Sequence, residues 1–133
     1  RNSLGLVKFD LQNNLAIYLH DTPAKMLFEK HQRQLSHGCV RVSDALGFAQ
    51  MLADQAGIAD QWLRARASGK MTFVSLPQAI PVRLLYRTVY VGEGNQVIYR
   101  TDPYGWNVAV AETLGFTKDA SQQFRSGVND IGP

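Results

Sequence analysis

Two short alternating stretches, separated by three turn-forming side chains, limit what the start of this chain can become. From Leu4 to Leu11, Leu6, Lys8 and Asp10 alternate with Val7, Phe9 and Leu11, the period of a half-buried strand. Gln12-Asn13-Asn14 supplies a turn, because asparagine tolerates left-handed backbone and bonds its own main chain. Leu15 to His20 then returns as the second arm of a hairpin. Ala16, Tyr18 and His20 share one face of that arm, and Leu15, Ile17 and Leu19 share the other. A histidine that closes a strand is held by the sheet, and Tyr18 stands beside it on what reads as a cleft side. Taken alone, both are better read as half-buried surface residues.

Helical signals follow. Thr22-Pro23 pairs an N-cap with proline at the first helical position, so a short helix is expected from Pro23 to about Phe28. Glu29 to Leu35 is polar and reads as a loop, in which His31 is a solvated histidine. Ser43 at the N-cap, Asp44 in the first turn and Gly57 as stop bracket a clear helix, with Ala45, Phe48, Ala49, Leu52 and Ala56 as its apolar stripe. A second helix, about Asp60 to Ala67, carries Trp62 as a packing residue.

From Met71 the pattern turns to strands: Met71 to Leu76, then a long Ile80 to Val91 with Pro81 at its edge or entry. Gly92-Glu93-Gly94-Asn95 is a hairpin loop, Gln96 to Arg100 runs back, and Asp102-Pro103-Tyr104-Gly105 is a turn before Trp106. The expected fold is mainly β with α, of α+β character. Residues 1–116 form the domain and 117–133 a weakly structured tail.

The 133 residues suit one domain, long enough to bury roughly two thirds of its unfolded surface. The formal charge of +3 comes without a long basic run, which argues against nucleic acid and fits anionic cell-wall polymers or membranes. No apolar run approaches the ~18 residues of a membrane span, and no signal peptide is present in this chain. A single cysteine excludes an intrachain disulfide.

That cysteine, Cys39, lies in Ser36-His37-Gly38-Cys39-Val40-Arg41. Gly38 lets backbone amides approach an oxyanion, and His37 and Arg41 favour the thiolate that attacks carbonyls. His20 and His37 are both candidate bases. Arg41 suits either a substrate carboxylate or an acid that braces the loop, and Ser36 suits a bond to the loop or to His20. The spacing of His20, His31, His37 and Cys39 lacks the short pairs of common zinc sites, so neither a metal nor another cofactor is expected.

His20, the spacer Asp21 to Leu35 and the run Ser36-His37-Gly38-Cys39 together resemble the signature of the L,D-transpeptidase (YkuD-type) catalytic domain. The resemblance extends over roughly Leu4 to Trp106. Leu15 to Lys25 and Ile80-Pro81-Val82 through Tyr99-Arg100-Thr101-Asp102 are similar to the large Gram-negative envelope branch. Most members have glycine after the first histidine, where this chain has Asp21. In the family a backbone carbonyl at that position orients the histidine, and the carbonyl survives the change.

The resemblance implies a β-sandwich with a helix after the cysteine motif, and a chain that is the C-terminal part of such a domain, lacking its first strands. It further implies a periplasmic or cell-envelope enzyme acting on peptidoglycan stem tetrapeptides. Cys39 would form a thioester with the stem and pass it to the diamino acid of a second stem, making a 3→3 crosslink. His20 is the implied base, the amides of Gly38 and Cys39 the implied oxyanion donors. Tyr18, Asp21, Ser36, His37 and Arg41 are expected to support the site or bind substrate. Carbapenems are the implied inhibitors. A carboxypeptidase or endopeptidase, a lipoprotein-to-peptidoglycan linkase and a non-catalytic wall-binding module remain alternatives.

Overall fold

The computed structural model describes residues 2–116, so the expected tail at 117–133 lies outside the described residues. They form two compact units, one from the residues up to Glu29 with Leu35–Arg83, the other from Lys30–Gln34 with the residues from Leu84 onward. The α+β character expected from the sequence holds, with five short strands in two sheets and three α-helices among the described residues.

In the first unit, β1 (Lys8–Asp10), β2 (Tyr18–His20) and β3 (Val40–Arg41) make a sheet of order β1-β2-β3. The first pair is antiparallel, as the hairpin pattern predicts, and the second is parallel. A parallel neighbour requires a crossover, which residues 21–39 provide. The turn before β2 is built by Asn13: its Oδ1 accepts from the amides of Leu15 and Ile17, and its Nδ2 donates to the carbonyls of Leu11 and Ile17. The left-handed residue there is Ala16 (φ 53°), not an asparagine. Asn13 spends its side chain on the turn and leaves the strained backbone to its neighbour.

Register divides the sheet's faces. Lys8 opposes His20, Asp10 opposes Tyr18 and His20 opposes Arg41, so these five side chains share a face. Phe9 and Leu19 point the other way. That opposite face meets α1 (Ala45–Gln55): Phe9 and Phe48 have ring centroids 5.1 Å apart, and Val7 and Phe9 pack on a core of Ala49, Ala53 and Trp62. Alanines at 45, 49 and 53 bring the helix backbone close, while Trp62 from α2 (Ala59–Ala67) fills the remaining space. Trp62 is thus a packing residue, although its buried Nε1 has no hydrogen-bond partner among the described residues.

The cap of α1 is Asp44 rather than Ser43. Asp44 Oδ1 accepts from the Gly47 amide at 2.9 Å, placing a carboxylate at the positive end of the helix. The helix ends in a Schellman arrangement, with Ile58 N–H to Ala53 O and Gly57 N–H to Asp54 O, for which Gly57 takes φ 68°. After Pro23, the expected helical turn is a 3-10 turn at Lys25–Glu29.

The later strand expectations hold only in part. Of the Ile80–Val91 stretch, Val89–Val91 alone forms a strand (β4), paired antiparallel with β5 (Val97–Tyr99) in the second unit. Residues 71–76 and 80–87 form no strand and have no ladder partner among the described residues. Alternation records a residue's fitness for a pleated surface, but a strand also needs a neighbour for its backbone groups. The hairpin loop at Gly92–Asn95 is as expected, closed by Gly92 N–H to Gln96 O at 2.8 Å.

A helix, α3 (Trp106–Thr113), follows the expected Asp102–Gly105 turn, over residues for which no element was expected. Asp102 supplies its start: Oδ2 accepts from the Asn107 amide at 2.7 Å, and Oδ1 accepts the Tyr86 hydroxyl at 2.6 Å. Burial and then the hydrogen bond and charge of Asp102 push the Tyr86 phenol up to about 12.

Asp44→Ala should destabilise the first unit by about 1 kcal/mol, the usual worth of an N-cap. Urea unfolding followed by tryptophan fluorescence measures this, since Trp62 packs against α1.

Candidate active site

The face bearing Lys8, Asp10, Tyr18, His20 and Arg41 is the side opposite α1, and Cys39 enters from the residue before β3. Cys39 is half-buried, so its thiol is neither sealed in the core nor fully solvated. Sγ lies 3.9 Å from the Ala16 carbonyl. The Tyr18 phenol is raised above its ordinary 10.0 by Cys39, first through side-chain hydrogen bonding and then through the cysteine's charge, so its hydroxyl lies near the thiol. The Lys8 ammonium sits 4.4 Å from the Tyr18 ring centroid and pairs with Asp10 at 2.5 Å. Asp10's hydrogen bond and charge raise the Lys8 ammonium above 10.5, so it stays a cation beside the ring.

His20 is buried at the end of β2, its ring in edge contact with Tyr18 at 5.7 Å between centroids. Its Nδ1 is 2.5 Å from the Asp21 carbonyl. A carbonyl only accepts, so Nδ1 carries the proton and Nε2 of the neutral ring is left with the lone pair. The carbonyl role that the resemblance implies at Asp21 is therefore available here. The Asp21 side chain is also engaged: Oδ1 accepts Lys25 Nζ at 2.6 Å and Oδ2 accepts the Leu6 amide at 2.9 Å. Burial pushes the Asp21 carboxyl up, but the Lys25 hydrogen bond, the amides of Leu6 and Thr22 and the Lys25 charge outweigh it and hold it below 3.8.

The loop before β3 is organised by its own polar groups. Ser36 Oγ donates to the Cys39 carbonyl at 2.7 Å, so Ser36 bonds the loop and not His20. Gly38 takes φ 137°, a backbone that L side chains rarely adopt, and its amide faces Ser36 Oγ at a long 3.3 Å. Arg41 donates through both terminal nitrogens to the Leu35 carbonyl at 3.3 and 3.4 Å. It braces the loop through a carbonyl, where the sequence suggested either a substrate carboxylate or a bracing acid as its partner. His37 is exposed on the loop and has no hydrogen-bond partner among the described residues. His31 is also exposed, in the 30–34 segment that belongs to the second unit.

Lys8 and Lys25 were missed as neighbours of the site. Each had a signal: Lys8 lies on the His20 face of the hairpin, and Lys25 is four residues after Asp21. A cavity of about 530 Å³ in this unit is lined by Leu6, Asp21, Lys25, Ser43 and Leu46 among others, and Cys39 is not in its wall.

Residues 2–98 match the family model of the L,D-transpeptidase catalytic domain. A Haemophilus influenzae protein that carries the provisional name L,D-transpeptidase is 38% identical over 111 residues, 80% of this chain. The chain spans 22% of that relative's length.

Two outcomes follow from the geometry. Tyr18→Phe removes a hydrogen bond to the sulfur and should slow iodoacetamide alkylation of Cys39 at neutral pH about fivefold. Because the Asp21 carboxyl is depressed in the folded state, its stabilisation is present above the unfolded carboxylate range and lost as pH falls through the folded value. The stability difference between the native protein and Asp21→Asn, measured by urea unfolding, should therefore shrink below pH 3.8.

Proposed function

Since the chain belongs to the L,D-transpeptidase catalytic domain family, we propose that it is the acyl-transferring part of a cell-envelope enzyme that makes 3→3 crosslinks in peptidoglycan. The observation that carries this reading is the parallel pairing of β2 with β3. It sets the His20 strand beside the Cys39 strand, with Tyr18 at the sulfur.

The first half-reaction takes a tetrapeptide stem as donor. His20 Nε2 accepts the thiol proton, and the Cys39 sulfur attacks the carbonyl of the third residue. The new C–S bond is matched by loss of the C–N bond to the terminal D-amino acid, whose amine leaves with the proton from His20. Amides of Gly38 and Cys39 receive the negative charge on oxygen. The Gly38 amide is available for this because its contact with Ser36 is long. In the second half-reaction the side-chain amine of another stem attacks the thioester, gives its proton to His20 and releases the thiol. Tyr18, donating to sulfur, stabilises the thiolate both before attack and on release.

Arg41 and Ser36 hold the loop that presents Cys39, and His37, exposed and unpartnered among the described residues, is the loop side chain placed to meet substrate. Location in the periplasm follows from the substrate. Carbapenems acylate the same sulfur because their strained lactam carbonyl substitutes for the donor.

The test is the intact mass of the full-length protein after incubation with a disaccharide-tetrapeptide, and separately with a carbapenem. An adduct on Cys39, absent in Cys39→Ser, together with a dimeric muropeptide, is the expected result. Tripeptide product without dimer would mean that water is the acceptor. No adduct from a folded protein with a reduced thiol, while muropeptides still bind, would make it a wall-binding module.

A further inference from the structure

We propose that the Asp21 carboxylate, the Lys25 ammonium and Gly5 form a lock that positions the His20 imidazole. The proposal rests on the reading of His20 as the base for Cys39. His20 gives its Nδ1 proton to the Asp21 carbonyl, so the direction of that carbonyl decides where Nε2 points. A peptide carbonyl turns with its residue's backbone, and a glycine at position 21 would steady the carbonyl only through its backbone amide, with no side chain to add to it.

Asp21 steadies it at three places. Its amide donates to the Val7 carbonyl at 2.9 Å. Its Oδ2 accepts the Leu6 amide at 2.9 Å, and its Oδ1 accepts Lys25 Nζ at 2.6 Å. The carboxylate is buried with both oxygens bonded, which makes its orientation costly to change. Gly5 closes the lock from the far side. Its backbone has φ 64°, and a Cβ built there would collide with Asp21 Oδ2 and Cγ. The chain passes so close to the carboxylate that a side chain at position 5 would displace it.

Lys25 extends the lock to the other half of the site. The same Nζ that holds Asp21 donates to the Ser43 carbonyl at 2.7 Å, and Ser43 follows β3 by two residues. One ammonium therefore ties the segment after His20 to the segment after the Cys39 strand. Along the chain these segments are 18 residues apart. Beyond the sheet hydrogen bonds themselves, this bridge fixes the relative placement of base and nucleophile. Asp21 and Lys25 are positioning residues, since they act through His20 and touch no reacting atom.

The experiment uses the full-length protein with nitrogen-15-labelled histidine and follows two quantities, the His20 ring tautomer by NMR and the single-turnover rate of Cys39 acylation. Native protein should show His20 with the proton fixed on Nδ1. Lys25→Met should mix the tautomers and lower the acylation rate about 100-fold, the cost of a small misplacement, with half-saturating substrate unchanged. Lys25→Arg, which keeps a cation able to reach both oxygens, should restore most of the rate. If Lys25→Met does not fold, Asp21→Gly carries the test, because it keeps the carbonyl and deletes only the carboxylate. Wild-type tautomer and rate in both variants overturns the lock. So does a slowed acylation with the tautomer unchanged, because the loss would then not pass through His20. A native protein with the fixed tautomer and no acylation would instead refute the acyl-transfer reading itself and leave the lock standing.

Discussion

The candidate site depends on a hydrogen bond within one dipeptide, from His20 Nδ1 to the Asp21 carbonyl. That bond converts an ambiguous imidazole into one with a defined donor end and a defined acceptor end. Its geometry is inherited from the sheet, because β1 and β3 flank the strand that ends at His20 and their backbone bonds continue past it, through Asp21 N–H to Val7 O and Val42 N–H to His20 O. The central strand is short, yet it is paired on both sides, and the residues that follow it, Asp21 and Thr22, are buried.

Around this fixed point the two faces of the sheet divide the work. Phe9 and its neighbours bury against α1 and supply the packing. Polar and aromatic groups, Lys8, Tyr18, His20 and Arg41, occupy the opposite face. The cysteine arrives on a loop whose own bonds, Ser36 to the Cys39 carbonyl and Arg41 to the Leu35 carbonyl, shape it. The thiol and the imidazole thus come from different structural sources, a braced loop and a strand end, and the parallel β2–β3 pairing brings the two segments side by side.

Much of this was legible in the sequence where the signal was local. The alternation before and after Gln12-Asn13-Asn14 revealed the hairpin and the face shared by Tyr18 and His20. Gly57 marked the end of α1, and the run from Ser36 to Arg41 marked the thiol's loop. What escaped were features set by distant partners or by competing patterns. Lys25 reaches Asp21 and Ser43 at once, and the second contact is invisible along the chain. Residues 80–87 carry strand-like alternation without a described partner to pair with, while α3 is started by Asp102, a side chain outside it. The choice between Ser43 and Asp44 as cap turned on which side chain reached the Gly47 amide, a matter of geometry that either residue type allowed.

The account's central claim is that His20 is the base for Cys39. Rapid-quench measurement of thioester formation on a disaccharide-tetrapeptide, comparing native full-length protein with His20→Gln and His37→Gln, tests it most directly. The account predicts a loss of about 100-fold or more for His20→Gln, within the usual range for removing a general base, and a much smaller loss for His37→Gln. Acylation at the native rate in His20→Gln, with the loss appearing in His37→Gln instead, would contradict it.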